Sequence, residues 1–290
     1  MGDLTHQITA LKQSTTVIDG IVDSSISPGI LAAILAADSQ PYPHLVMIGE
    51  QKPQATFTGI KIGSLITQFG IDGQAINATP LELYTLDTAT GGSRGSGGEK
   101  ISVVKGLIVP TTLSASQGNA PATLSYLIAA GGTDADAAPM SVTSDQTAPA
   151  LTSDDEAFFL GAVTLNSADI GPVDSVNIDF GFNVVQRGGS GDQYPSIVYW
   201  SIQQAVITIR ALDPGALASV TIGGTDDAVT VQLKKGLLGG FRAGSGHKTF
   251  TTHRNLVHVA SLGGGQGADA MAEIRVECAY DGSNAPITVS

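Results

Sequence analysis

The sequence predicts a mainly β protein built from two tandem copies of one sandwich or barrel, each with at most a short helix. Three observations predict it. Apolar and polar residues alternate with a period of two over many short segments, which is the pattern of half-buried strands. Gly, Asp, Asn and Pro clusters separate those segments and serve as turns. The chain also repeats itself: GGSRGSGGEK at 91–100 is answered by GGFRAGSGHK at 239–248. Gly91, Gly92, Arg94 and Lys100 thus recur as Gly239, Gly240, Arg242 and Lys248, 148 positions on. Tyr42-Pro43 returns as Tyr194-Pro195 at an offset of 152, Gln117-Gly118 as Gln266-Gly267 at 149, and APMSV (138–142) as APITV (285–289) at 147. Four anchors in one order imply duplication of a whole domain, with a period of roughly 150 residues.

The elements follow in order. Ser27 as N-cap and Pro28 as first helical residue predict a helix over 28–37. Segments 63–69 and 214–219 suit a turn or two of helix at equivalent places in the two copies. Strand patterns cover 81–87, 101–109, 122–130, 157–165, 197–210 and 228–233. Val176, Ile178, Phe180, Phe182 and Val184 alternate with polar residues or Gly, and Ile274, Val276, Cys278 and Tyr280 do the same. The polar, Pro-containing stretch 144–156 marks the boundary, so the domains are 1–145, with an N-terminal arm, and 146–290. Each is long enough to bury its own core.

Composition narrows the function. Only 14% of residues are charged, against about 25% in typical globular domains. A surface so neutral fits burial against further copies of the chain. The net charge of −12 and the 14 Lys plus Arg supply no cation cluster of the kind that grips a nucleic-acid backbone. The single cysteine, Cys278, rules out an intrachain disulfide and a Cys-based zinc site. MGDLTHQITA lacks the basic and apolar regions of a signal peptide, and the longest apolar run, 30–37, is too short for a bilayer. A soluble protein made in the cytoplasm is expected.

Motifs that carry chemistry fail their structural tests. GGSRG (91–95) matches the G-x-S-x-G elbow, but a strand pattern follows it and Phe241 stands where the second copy needs Ser93. GGGQGADA (263–270) contains a loose dinucleotide fingerprint through Gly265, Gly267 and Ala270, again followed by a strand pattern. Asp134/Asp136, Asp154/Asp155/Glu156 and Asp226/Asp227 lack the spacing of a calcium loop and read as solvated carboxylates. His253 and His258, five apart on a strand, face opposite sides. Cys278 shares the apolar face of Ile274 and Val276 and reads as an inert buried thiol. The expectation is no enzyme, no cofactor and no metal. The recurring Gly-rich loops, with Gly91, Gly92, Arg94, Lys100, Gly239, Gly240, Arg242 and Lys248, are the candidate inter-subunit or inter-ring contacts.

KGLIVPTTLSASQGNAPATLSYLIAAGGTDADAAPMSV (105–142) and its echo HRNLVHVASLGGGQGADAMAEIRVECAYDGSNAPITVS (253–290) carry a resemblance. So does VDSVNIDFGFNVV (173–185) followed by QYPSIVYW. In style and layout the chain resembles the major tail tube proteins of phages with long, non-contractile tails. The resemblance implies two tail-tube-like β domains assembled into stacked rings around a DNA channel, in the virion tail. Family members mostly carry one such domain and form hexameric rings; two per chain implies a trimer with pseudo-sixfold symmetry. Its partners would be further copies of itself, tape-measure and tail-terminator proteins, and double-stranded DNA passing without tight binding; no membrane is involved. The alternatives are another phage structural β protein, such as a decoration or capsid-surface protein, and a duplicated binding module or adhesin.

Overall fold

The computed structural model describes residues 8–35, 45–86, 97–118, 120–132, 137–152, 156–189, 191–212, 228–236, 242–263 and 271–290. The protein is mainly β. The first half runs β1 (Ile8–Gln13), β2 (Thr16–Ile18), β3 (Ile21–Ser27), β4 (Ile30–Leu35), β5 (Leu45–Gln51), β6 (Gln54–Gly59), α1 (Ile62–Phe69), β7 (Gln74–Ile76), β8 (Leu81–Thr85), β9 (Lys100–Val103), β10 (Gly106–Ser116), β11 (Thr123–Ala130) and β12 (Met140–Thr143). The second half runs β13 (Phe158–Leu165), β14 (Ala168–Asp169), β15 (Val173–Asp179), β16 (Phe182–Arg187), β17 (Ile197–Gln203), β18 (Val206–Ala211), β19 (Val229–Lys235), β20 (Lys248–Thr252), β21 (Arg254–Gly263), β22 (Met271–Ala279) and β23 (Ile287–Val289).

The two halves share one strand order. One five-stranded sheet reads β12-β9-β8-β1-β2 and another, in the same sense, β23-β20-β19-β13-β14. A nine-stranded sheet reads β21-β22-β18-β15-β10-β11-β6-β3, with β7 also beside β10. It consists of two quartets, β10-β11-β6-β3 and β21-β22-β18-β15, joined where β10 meets β15. Each half adds a separate hairpin, β4·β5 or β16·β17. The irregularities coincide as well. The register shifts between Ile21 and Asp23 on β3 and between Val173 and Ser175 on β15. Shifts also fall between Pro110 and Leu113 on β10 and between Val259 and Ser261 on β21. A bulge bends its strand and increases local twist, so both quartets bend at the same places.

Packing follows from the period-two pattern. Leu124, Tyr126, Ile128 and Ala130 on β11 are buried, as are Ala272, Ile274, Val276 and Cys278 on β22. The apolar faces of both five-stranded sheets meet the nine-stranded sheet in a single continuous cluster, so the two halves share one core. Helix α1 buries Ile62, Leu65, Ile66 and Phe69, one face of a 3.6-residue period. It stops at Gly70 (φ +64°), whose N–H donates to the Ile66 carbonyl. Phe57, Phe69 and Tyr126 pack there ring on ring, and the Tyr126 hydroxyl donates to the Gly70 carbonyl at 2.7 Å. Burial raises the Tyr126 phenol far above its ordinary pKa.

Several expectations change. The helix expected over 28–37 is not formed in its described part, 28–35: Gly29 (φ +61°) turns the chain from β3 into β4. The Ser27 hydroxyl accepts from the Gly29 N–H rather than from a helical turn. Gly181 (φ +64°) makes the equivalent turn from β15 into β16, with Asp179 Oδ1 as acceptor. A Cβ on either glycine would strike a backbone carbonyl, that of Lys52 or of Gln204. The alternation at 176–184 therefore spans two strands, and so do 101–109, broken between β9 and β10, and 197–210, broken between β17 and β18. The helical turn at 63–69 is α1; segment 214–219 lies outside the described residues.

Candidate assembly surface

Along the C-terminal part of β10 and along β15, β18 and β22, the nine-stranded sheet buries one face and presents a polar one. Opposite the buried side chains, β10 presents Ser114 and Ser116, β15 presents Ser175 and Asn177, and β18 presents Thr208 and Arg210; these line a shallow, open depression. Two of its arginines are matched by acids. Arg210 Nε lies 3.4 Å from Glu273 Oε2, and Arg275 Nε donates to Glu277 Oε1 at 2.7 Å. The face is hydroxyl-rich, and Arg210 and Arg275 on it are already engaged.

The two ends of this sheet correspond to the two strands joined at its centre. Across β10·β15, Thr112 faces Asp179, Leu113 faces Ile178 and Ser114 faces Asn177. On β10, Leu113 also faces Leu124; on β21, Leu262 faces Ala272, each following the same shift in register. On β3, Ile26 faces Ala55, as Ile178 on β15 faces Ile207. Leu113 is fully buried, whereas Leu262, at the end strand, is 65% exposed. The difference follows from what lies alongside, since the local sheet is the same.

The halves are also tied together through the boundary segment. Lys61 and Asp19 form an ion pair, each less than a tenth exposed. Lys61 Nζ donates to Thr152 Oγ1 at 2.7 Å; Thr152 N–H and Oγ1 donate to Asp19 Oδ2 and Oδ1 at 2.8 and 2.9 Å. Burial opposes the Asp19 carboxylate, but the bonds from Lys61 and Thr152 and the Lys61 charge outweigh it, so its pKa lies below the ordinary value. Glu156 Oε2 accepts from the Ser64 N–H and hydroxyl, both at 3.0 Å, and so caps the first turn of α1. The hairpin β16·β17 lies over the first half. Gln186, 5% exposed, donates to the carbonyls of Pro53 (3.1 Å) and Ala130 (2.8 Å) and accepts from Gln54 (2.7 Å).

Of the candidate contact residues, Gly91, Gly92, Arg94, Gly239 and Gly240 lie outside the described residues, as do Ser93 and 264–270. Lys100 opens β9 and sits 3.3 Å from Glu82, which also takes the Tyr84 hydroxyl at 2.9 Å. Burial opposes the Glu82 carboxylate, yet Tyr84 and Lys100 hold its pKa below the usual range. Arg242 lies over the Phe159 ring, its guanidinium carbon 3.6 Å from the centroid. Lys248 opens β20, the strand equivalent to β9, but stands two residues before the buried Phe250, whereas Lys100 stands one before the buried Ile101. Lys100 and Arg242 are therefore engaged within their own chain.

Among the described residues, no three His, Cys, Asp or Glu come together to hold a metal ion, and no helix is long and apolar enough to cross a membrane. His253 Nε2 is 2.8 Å from Thr288 Oγ1. Burial, with help from Glu277, pushes the Cys278 thiol up to about 12. No family model and no curated protein matches this chain.

Proposed function

We propose that this chain is a duplicated structural protein of a phage virion, polymerising into stacked rings that form a tail tube through which DNA passes. The observation that supports the reading is the nine-stranded sheet. Its central joint, β10·β15, links opposite ends of two like quartets, and its outermost strands, β21 and β3, are the counterparts of that joint. A head-to-tail contact of this kind repeats until it closes a ring or runs on as a filament. Three chains would supply six quartets, which is the trimer with pseudo-sixfold symmetry.

The polar face suits the wall of a conduit. Hydroxyls present no fixed positive charge, and arginines matched by glutamates release few counterions to a phosphate backbone. With an acidic chain around it, DNA is repelled over about 8 Å at physiological salt. Such a protein acts by shape and charge, without catalysis. The Gly-rich loops 88–100 and 234–248 would add contacts between subunits or rings, so a chain lacking 91–98 or 239–246 is expected to fold but to polymerise poorly.

The test is electron microscopy of the purified full chain, with rotational averaging. Hollow rings or tubes with threefold symmetry are expected. Solid fibres, or particles whose averages show no closed ring, would refute the conduit.

A further inference from the structure

The joint inside the chain specifies the joint between chains, down to its register. We propose that β21 of one copy pairs antiparallel with β3 of a second copy, Leu262 opposite Ile26 and Ser261 opposite Ser27. The inference rests on the self-assembly part of the function proposed above, and extends it by naming the surface and its alignment.

The register comes from equivalent positions. Within the chain, Leu113 faces Ile178 and Thr112 faces Asp179 across β10·β15. Leu262 holds the place of Leu113: each follows the same shift in register and faces a buried residue of the next strand, Ala272 or Leu124. Ile26 holds the place of Ile178: both face a buried residue on the next strand, Ala55 or Ile207, and both lie three residues past the same shift in register, which ends at Asp23 or Ser175. Transferring the internal pairing to the end strands gives Leu262 against Ile26. The exposed Leu262 then becomes an inward-facing residue at a continuous sheet, as Leu113 is now.

Chemistry favours a second copy over an unrelated strand. The receiving edge must match a bulge on each side, because a slip of one residue would turn Leu262 to the polar face. Ser25, Ser27 and Asp23 keep the β3 edge polar, which discourages pairing with arbitrary strands. The chain itself carries the complementary bulge pattern at its opposite end. That end is seven strand spacings away, about 34 Å at the usual ~4.8 Å per strand. One chain cannot bring Leu262 and Ile26 together, so any bond between them joins two molecules.

The experiment uses the full chain in a Cys278→Ser background, carrying Leu262→Cys and Ile26→Cys, oxidised with copper phenanthroline. Loss of most of the monomer band into disulfide-linked dimer and trimer, with no larger species, is the expected result. A two-residue slip, Leu262→Cys with Ser24→Cys, is expected to give at least tenfold less product. Mixing chains that carry only one cysteine each should stop at dimer, and circular dichroism confirms that every variant is folded. Hollow tubes without any cross-link would overturn this interface while leaving the conduit standing. Cross-linked trimers that never stack would support the interface and remove the tube. A better yield from the slipped pair overturns the register, and a chain that stays monomeric at all concentrations overturns both proposals.

Discussion

Replacing Lys61 with Met removes the ammonium from a pocket in which Asp19 is 4% exposed and the lysine itself 8%. Thr152 alone cannot neutralise a carboxylate held there. Breaking a buried pair by deleting one partner costs about 3–5 kcal/mol, which at this chain length moves Tm by roughly 5–15 °C. The pH dependence gives the reasoning a second check. The Asp19 pKa is lowered in the folded protein, so its stabilising contribution is present above the unfolded value of about 3.9 and lost as pH falls through the folded value. In Lys61→Met the carboxylate has lost its counter-charge and protonation relieves it. The stability gap between wild type and variant should therefore be widest near neutral pH and shrink below about pH 4. Replacing both partners, Asp19→Leu with Lys61→Met, should recover most of the loss, since apolar substitutes for a buried pair are often neutral or better. Thermal and urea unfolding at pH 7 and pH 3.5 measure all three. A loss below about 1 kcal/mol, or one independent of pH, would show that the pair is solvated and does not pin the boundary segment.

Leu113→Ala should cost about 2–5 kcal/mol in urea unfolding, while Leu262→Ala at the equivalent exposed position should stay within about 0.5 kcal/mol yet weaken self-association in light scattering. Glu156→Ala should lower stability by about 1 kcal/mol through the lost cap on α1, seen as a shift in urea midpoint. Cys278 should resist a thiol reagent at pH 8 in the folded protein and react fully in denaturant, because its thiol pKa is about 12; rapid reaction when folded would contradict its burial. Glu273→Gln with Glu277→Gln unmasks Arg210 and Arg275, and should create salt-sensitive retention of double-stranded DNA that the wild type lacks, measured by filter binding.

The mainly β class was legible because a half-buried strand writes its alternation directly into the sequence, as on β22. Strand ends were not. Phe180 and Phe182 continue the alternation of Val176 and Ile178, yet Gly181 turns the chain into a different sheet between them. Periodicity records which face is apolar and says nothing of which neighbour supplies the hydrogen bonds. The helix expected at 28–37 failed because Ser27-Pro28-Gly29 suits an N-cap and a turn equally, and Gly29 at positive φ chooses the turn. The Gly-rich echo drew attention to loops, whereas the surface that carries the assembly argument is strand edge. Leu262 and Ile26 look ordinary in sequence; only the exposure of one and the burial of its counterpart Leu113 distinguishes them. The Asp19–Lys61–Thr152 set was invisible for a related reason: its members lie 42 and 91 residues apart.

The internal β10·β15 joint gives the two kinds of seam different tasks. Inside the chain, Leu113 and Ala115 meet Ile178 and Val176, all buried, and a peptide connection holds the partners at high effective concentration. Between chains, the same geometry would set Leu262 against Ile26, and Ser24 stands on β3 where Val176 stands on β15, a poorer apolar match. In the proposed ring, carrying two like halves in one chain would make every second seam permanent and leave its alternate free to be weak. A weak seam would let a misplaced subunit leave before it is trapped, so the proposed ring would correct its own errors while each of its parts stays whole.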